Sequence, residues 1–156
     1  MGLMNDYICE AGNDETLQED LDYIASSEIP VEALRDSKVL VTGATGLIGV
    51  SLVRALLCVN RVRNLNLQVL ALIRNKEKAE KIYKELLNRE DLVLLLGDVT
   101  EKISARQKVD YIFHCASVTA SKVMINNPVE TLLTSIDGTK NVLNFARESS
   151  CKWQTI

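Results

Sequence analysis

The chain predicts a parallel α/β sheet covered by helices on both faces, and three observations carry that expectation. Short apolar runs recur at Lys38–Thr42, Leu67–Ile73, Leu92–Leu96 and Val109–His114, and Trp153–Ile156 looks like the opening of a fifth strand. The longer of them are nearly continuous in apolar residues, which marks strands buried on both sides. Segments of helical period separate them, and a strand-helix-strand rhythm is the pattern that a parallel sheet requires.

Composition narrows the function classes. The 156 residues are 47% apolar and 25% charged, enough for one domain with a real core. No apolar run approaches the ~20 residues of a membrane span, and the polar, acidic start does not resemble a signal peptide. An aromatic content of 4% argues against a nucleic-acid stacking platform. Cys9, Cys58, Cys115 and Cys151 are scattered without a C-x-x-C, and His114 is the single histidine. The expectation is free thiols in a reducing cytoplasm and no metal site.

Charge divides the chain in two. Residues 1–37 hold ten acidic side chains against one basic, Arg35, so they carry −9 of a net −3 and leave +6 for the remainder. A positive remainder suits a domain that binds phosphates, and it equally describes an acidic solvated arm beside an ordinary surface. Residues 1–37 are therefore expected to form an acidic arm, loosely held over 1–13. One amphipathic helix follows in 14–26, with Leu17, Leu21 and Ile24 on its apolar face. Residues 38–156 are expected to form the sheet domain.

Within that domain the first helix is expected from Leu47 to about Val59. A second covers 76–88, with Ala79, Ile82, Tyr83, Leu86 and Leu87 on one face. Asn127-Pro128-Val129-Glu130 opens a long helix: a capping residue, a proline in the first turn and an acid three residues past the cap. Leu132, Leu133, Ile136, Leu143 and Ala146 are expected to form its buried side.

The most informative segment is Gly43-Ala44-Thr45-Gly46-Leu47-Ile48-Gly49, lying between the first strand and the first helix. A helix N-terminus presents N–H groups without intrahelical acceptors, and the helix dipole favours an anion there. Gly43 permits a tight exit from the strand, Gly46 lets a pyrophosphate reach backbone, and Gly49 lets the helix pack close to the sheet. The pattern predicts a dinucleotide site.

Four motifs in order resemble the extended short-chain dehydrogenase/reductase superfamily, in its nucleotide-sugar epimerase/dehydratase group. They are the glycine turn, Gly97-Asp98-Val99, His114-Cys115-Ala116-Ser117 and Asp137-Gly138-Thr139-Lys140-Asn141-Val142. The resemblance runs from Lys38 to Ile156 and implies a Rossmann-type doubly wound sheet. It places Gly43, Thr45, Gly46, Leu47, Ile48 and Gly49 on the pyrophosphate. Asp98 and Val99 fall on the adenine, and Cys115, Ala116 and Ser117 on the cofactor's inner half. Thr119 and Ser135 fall at substrate-side positions. Ser135 stands where the family pattern has asparagine.

Where an acidic residue after the second strand would favour NAD, this chain has Arg74, with Lys76 and Lys78 behind it. A guanidinium can pair with a 2′-phosphate, so the expectation leans to NADP over NAD. The superfamily's chemistry uses a Tyr-x-x-x-Lys pair. Tyr7, Tyr23, Tyr83 and Tyr111 are followed four residues on by Ala11, Ser27, Leu87 and Cys115. The catalytic half is therefore expected beyond this chain, whose sheet would be cut at about strand five, leaving it inactive alone.

The resemblance implies an enzyme that transiently abstracts hydride from a sugar carbon of a nucleotide sugar, in a homodimer paired through helices such as 131–147. An NADPH-dependent reductase of the same superfamily and a non-catalytic dinucleotide sensor are the alternatives.

Overall fold

The computed structural model describes residues 9–104, 108–118 and 121–155. Its five strands are β1 (Lys38–Thr42), β2 (Gln68–Ile73), β3 (Leu92–Leu96), β4 (Tyr111–His114) and β5 (Trp153–Thr155). They are all parallel, in the order β3-β2-β1-β4-β5. The order reverses between β1 and β4, and open α/β sheets bind ligands beyond the strand C-termini at that switch point.

The helices are α1 (Glu15–Ser26), α2 (Leu47–Arg63), α3 (Lys76–Ile82), α4 (Ser121–Asn126) and α5 (Pro128–Ser149). Two buried clusters flank the sheet. One joins Val39, Val41, Val69 and Ala71 to Leu57 of α2 and Leu21 of α1. The other joins Leu40, Leu70 and Ile112 to Val142, Phe145 and Ala146 of α5. Alternate residues of one strand thus serve opposite layers, so these strands need apolar residues at every position.

Several expectations shift in the structure. The helix after the glycines runs one turn past Val59, to Arg63, and ends on Asn64 in the left-handed conformation. The expected helix over 76–88 stops at Ile82 and gives way to a 3-10 turn at Lys84–Leu86. Tyr83 and Leu86 remain buried there, but Leu87 is exposed. In α1 the buried pair is Leu21 and Ala25, and Ile24 is exposed. Helix α4 was not foreseen.

The buried side of α5 is the largest correction. Gly138, Val142, Phe145, Ala146 and Ser149 face the sheet, while Leu132, Leu133 and Ile136 are more than half exposed. The helix carries two apolar faces. Spacing cannot say which one meets the sheet; the face that does packs Val142, Phe145 and Ala146 on Leu40, Leu70 and Ile112, with Gly138 against Val99 in the loop after β3.

Residues 9–13 also depart from a loose arm. Glu10 is fully buried, with its carboxylate accepting from Arg61 Nε at 2.9 Å and Arg89 Nη1 at 2.9 Å. Residues 1–8 lie outside the described set.

Candidate functional site

A cleft of about 470 Å³ opens at the C-terminal ends of the strands, over the switch point. Five segments meet in it: the glycine turn, Arg74 after β2, Gly97-Asp98-Val99 after β3, His114–Val118 after β4, and Thr134, Ser135 and Gly138 of α5. The sequence placed Gly43, Thr45, Gly46, Leu47, Ile48, Gly49, Arg74, Asp98, Val99, Cys115, Ala116, Ser117 and Ser135 near a ligand, and all of them line this one cleft. Thr119 lies outside the described residues.

The turn is built by close approach. Gly43 has φ +64°, and a Cβ there would lie 2.6 Å from the Ala116 nitrogen. A Cβ on Gly49 would lie 2.2 Å from the Gly43 carbonyl oxygen. Gly49 therefore lets α2 close on the turn itself rather than on the sheet. Gly46 differs, since its missing Cβ would meet only the Gly43 carbonyl oxygen, at 3.2 Å. The Gly46 N–H donates to that same oxygen at 2.9 Å, which sets the turn.

On the β3 side, Asp98 Oδ1 accepts from both the N–H and the hydroxyl of Thr100, each at 2.9 Å. Its Oδ2 lies 3.7 Å from Arg74 Nη1. Burial works to raise the Asp98 carboxyl, but the Thr100 bonds and the Arg74 charge outweigh it and hold it below its ordinary value. Asp98 is thus an anion with Arg74 across it. Asn141 Nδ2 of α5 donates to the Val99 carbonyl at 2.9 Å, and Gly138 admits the Val99 methyl group. The Gly138 and Asn141 of the α5 motif buttress this wall.

On the β4 side, fully buried Thr42 joins two strands. Its hydroxyl accepts from the Ala116 N–H at 3.3 Å and lies 2.7 Å from His114 Nδ1. The hydroxyl donates to Nδ1 or accepts from it according to the ring's tautomer. Burial lowers the His114 pKa, which favours the neutral ring. Burial likewise pushes the Cys115 thiol up, so it stays protonated.

Sequence reasoning missed Leu72, Lys78, Gly97, Val118, Thr134 and Gly138 as lining residues. The Ile73–Leu96 pairing places Gly97 beside the end of β2, where its N–H donates to the Ile73 carbonyl at 3.0 Å, a long-range fact that only register reveals. Thr134 could have been found from its place beside Ser135, one turn before Gly138. Among the described residues no tyrosine lines the cleft: Tyr83 is buried, Tyr111 donates to the Ala33 carbonyl, and Tyr23 is exposed.

Comparison with known proteins adds three findings. The model of the NAD dependent epimerase/dehydratase family matches residues 39–155. An uncharacterized membrane protein of Methanocaldococcus jannaschii is 31% identical over 119 residues, 73% of this chain and 33% of that protein. The UDP-glucose 4-epimerase of Rickettsia typhi is 28% identical over 114 residues, 71% of this chain and 33% of its own length. The chain thus spans about a third of the curated relatives it matches.

Among solved structures, Pen from Bacillus thuringiensis aligns with TM-score 0.66 at 28% identity, over 78% of this chain and 37% of that one. The dTDP-glucose 4,6-dehydratase DesIV of Streptomyces venezuelae, solved with NAD and TYD bound, aligns with TM-score 0.62 at 24% identity. That match covers 75% of this chain and 38% of the other, and shows the fold. Among the described residues no helix is long and apolar enough to cross a membrane.

Proposed function

The chain belongs to the NAD dependent epimerase/dehydratase family, and on that premise we propose that it forms the dinucleotide-binding part of a nucleotide-sugar epimerase or dehydratase of the cytoplasm. The observation that carries this reading is Gly46. A Cβ there would press on a single atom of the protein, the Gly43 carbonyl oxygen at 3.2 Å, and Gly46 lines the cleft at the N-terminus of α2, where the first-turn amides start. A pyrophosphate fits there.

Gly43–Gly49 hold the phosphates in this reading. Leu72, Gly97 and Val99 receive the adenine, with Asp98 accepting from its amino group. Ala116 and Ser117 run along the inner half. Arg74, with Lys78 beside it in the cleft, supports a 2′-phosphate and so NADP over NAD. Thr134 and Ser135 face the sugar side. When bound, the dinucleotide supplies a hydride acceptor for a sugar carbon. The residues of this chain bind and orient it, and neutral His114 adds no charge to the cleft. Because no tyrosine here has a lysine four residues on, the chain is expected to bind without turnover. The exposed apolar face of α5 supports burial against a second copy.

Calorimetric titration with NADP⁺ and NAD⁺ tests the reading. Gly46→Val is expected to weaken both at least tenfold while leaving the ligand-free melting temperature within a few degrees. Undiminished binding by this variant would remove the glycine turn from the site. Net consumption of NADPH by a longer protein carrying this chain would favour the reductase reading instead.

A further inference from the structure

Tyr83 is the largest fully buried side chain among the described residues, at the point where α3 passes into its 3-10 turn. Its hydroxyl donates to the carbonyl oxygen of Ala44, 39 positions away in the chain and inside the glycine turn. The neighbouring Ile82 carbonyl accepts from Arg54 Nη2 of α2 at 3.1 Å. The end of α3 therefore grips both the turn and the helix that follows it. Burial pushes the Tyr83 phenol up, with Arg54 opposing only in part, so the hydroxyl keeps its proton and remains a donor.

The Ala44–Thr45 peptide is trans, as are all described peptides, so its C=O and N–H point in opposite directions. The carbonyl is engaged from the packed side by Tyr83. The Thr45 N–H therefore faces the other way, and Thr45 lines the cleft. That N–H has no acceptor among the described residues, whereas the Gly46 N–H is already committed to Gly43.

We infer that Tyr83 is a positioning residue whose hydroxyl fixes the Ala44–Thr45 peptide so that the Thr45 N–H faces the pyrophosphate of a bound dinucleotide. The inference rests on the dinucleotide reading above. Without the hydroxyl, the buried Ala44 carbonyl has no partner, and a turn of the peptide plane relieves it by exchanging the two groups. That exchange presents an oxygen acceptor to an anion.

Tyr83→Phe keeps the ring and deletes only the donor. Wild-type and variant chains are titrated by NMR with NADP⁺ and with adenosine 2′-phosphate, which lacks the pyrophosphate. The variant is expected to bind NADP⁺ at least tenfold more weakly and adenosine 2′-phosphate within twofold of wild type. A general loosening of the fold would weaken both alike, and that result, or no loss for either, overturns the role of Tyr83.

In the wild-type chain the Thr45 amide resonance is expected to shift with NADP⁺ but not with adenosine 2′-phosphate. An unmoved Thr45 amide overturns the inference even if the variant fails to fold. A folded wild-type chain that binds no dinucleotide removes both readings. Normal binding by Tyr83→Phe removes this one alone.

Discussion

The two ends of the sheet treat charge in opposite ways. At the end where β2 and β3 begin, Glu10 is fully buried between Arg61 and Arg89. Arg89 also holds Asp91 at 2.7 Å, and Asn60 donates to the same Asp91 carboxylate at 2.7 Å. At the opposite end, Arg74 is 76% exposed and meets Asp98 only at 3.7 Å, across the cleft from a Thr45 N–H that has no acceptor among the described residues. Saturated polar groups specify and lock a fold, whereas oriented donors left open are capacity for a ligand. The difference separates residues that hold the molecule together from residues that give it something to do.

The strongest way to break that comparison is at the Glu10 cluster. Glu10→Ala leaves two guanidinium groups facing each other without their shared carboxylate, and it is expected to cost about 3 kcal/mol of stability. Chemical denaturation measures it. Affinity for NADP⁺, taken well below the transition, is expected to stay within twofold. A large loss of affinity would mean that the two ends are coupled and that the division is wrong.

A milder perturbation of the same end is acid. Burial works to raise the carboxyls of Glu10 and Asp91, but their arginine partners outweigh it and hold both below their ordinary values of 4.5 and 3.8. A depressed folded-state pKa contributes stability above the unfolded value and loses it as pH falls through the folded one. The melting temperature is therefore expected to be level from pH 7 to about 5 and to decline below that. Glu10→Gln should flatten part of the decline. An identical acid profile in that variant would place the acid-sensitive groups elsewhere.

This contrast also explains what the sequence made legible. The cleft was readable because its parts are local motifs at strand ends: the turn glycines, Asp98 after β3, Ala116 and Ser117 after β4. A parallel sheet brings strand ends together whatever the lengths between them. The Glu10 network was not readable, because its members come from residues 10, 61, 89 and 91 and nothing local marks an acid near the N-terminus as buried. Tyr83 was placed correctly on an apolar face, but its hydroxyl acts on a residue 39 positions away. The α5 error has the same root. Periodicity found an apolar stripe, yet the side that packs is the one that meets Leu40, Leu70 and Ile112 through Val142, Phe145 and Ala146, partners far away in the chain.

The smallest expected effect sharpens the open end. An exposed ion pair contributes at most about 1 kcal/mol, so Arg74→Ala is expected to leave stability nearly unchanged. Its consequence belongs to ligand choice. Removing the guanidinium deletes a cation that can pair with a 2′-phosphate, and it also uncovers the Asp98 carboxylate, which repels that phosphate. Both changes act against NADP⁺. NAD⁺ carries a ribose hydroxyl there, for which a bared carboxylate is an acceptor, so the two changes oppose each other. The ratio of NADP⁺ to NAD⁺ affinities, measured by calorimetry, is thus expected to fall about fivefold to tenfold, further than either affinity alone. A ratio that does not move would shift 2′-phosphate recognition to Lys78, the other cation lining the cleft, and Lys78→Ala would then carry the whole effect.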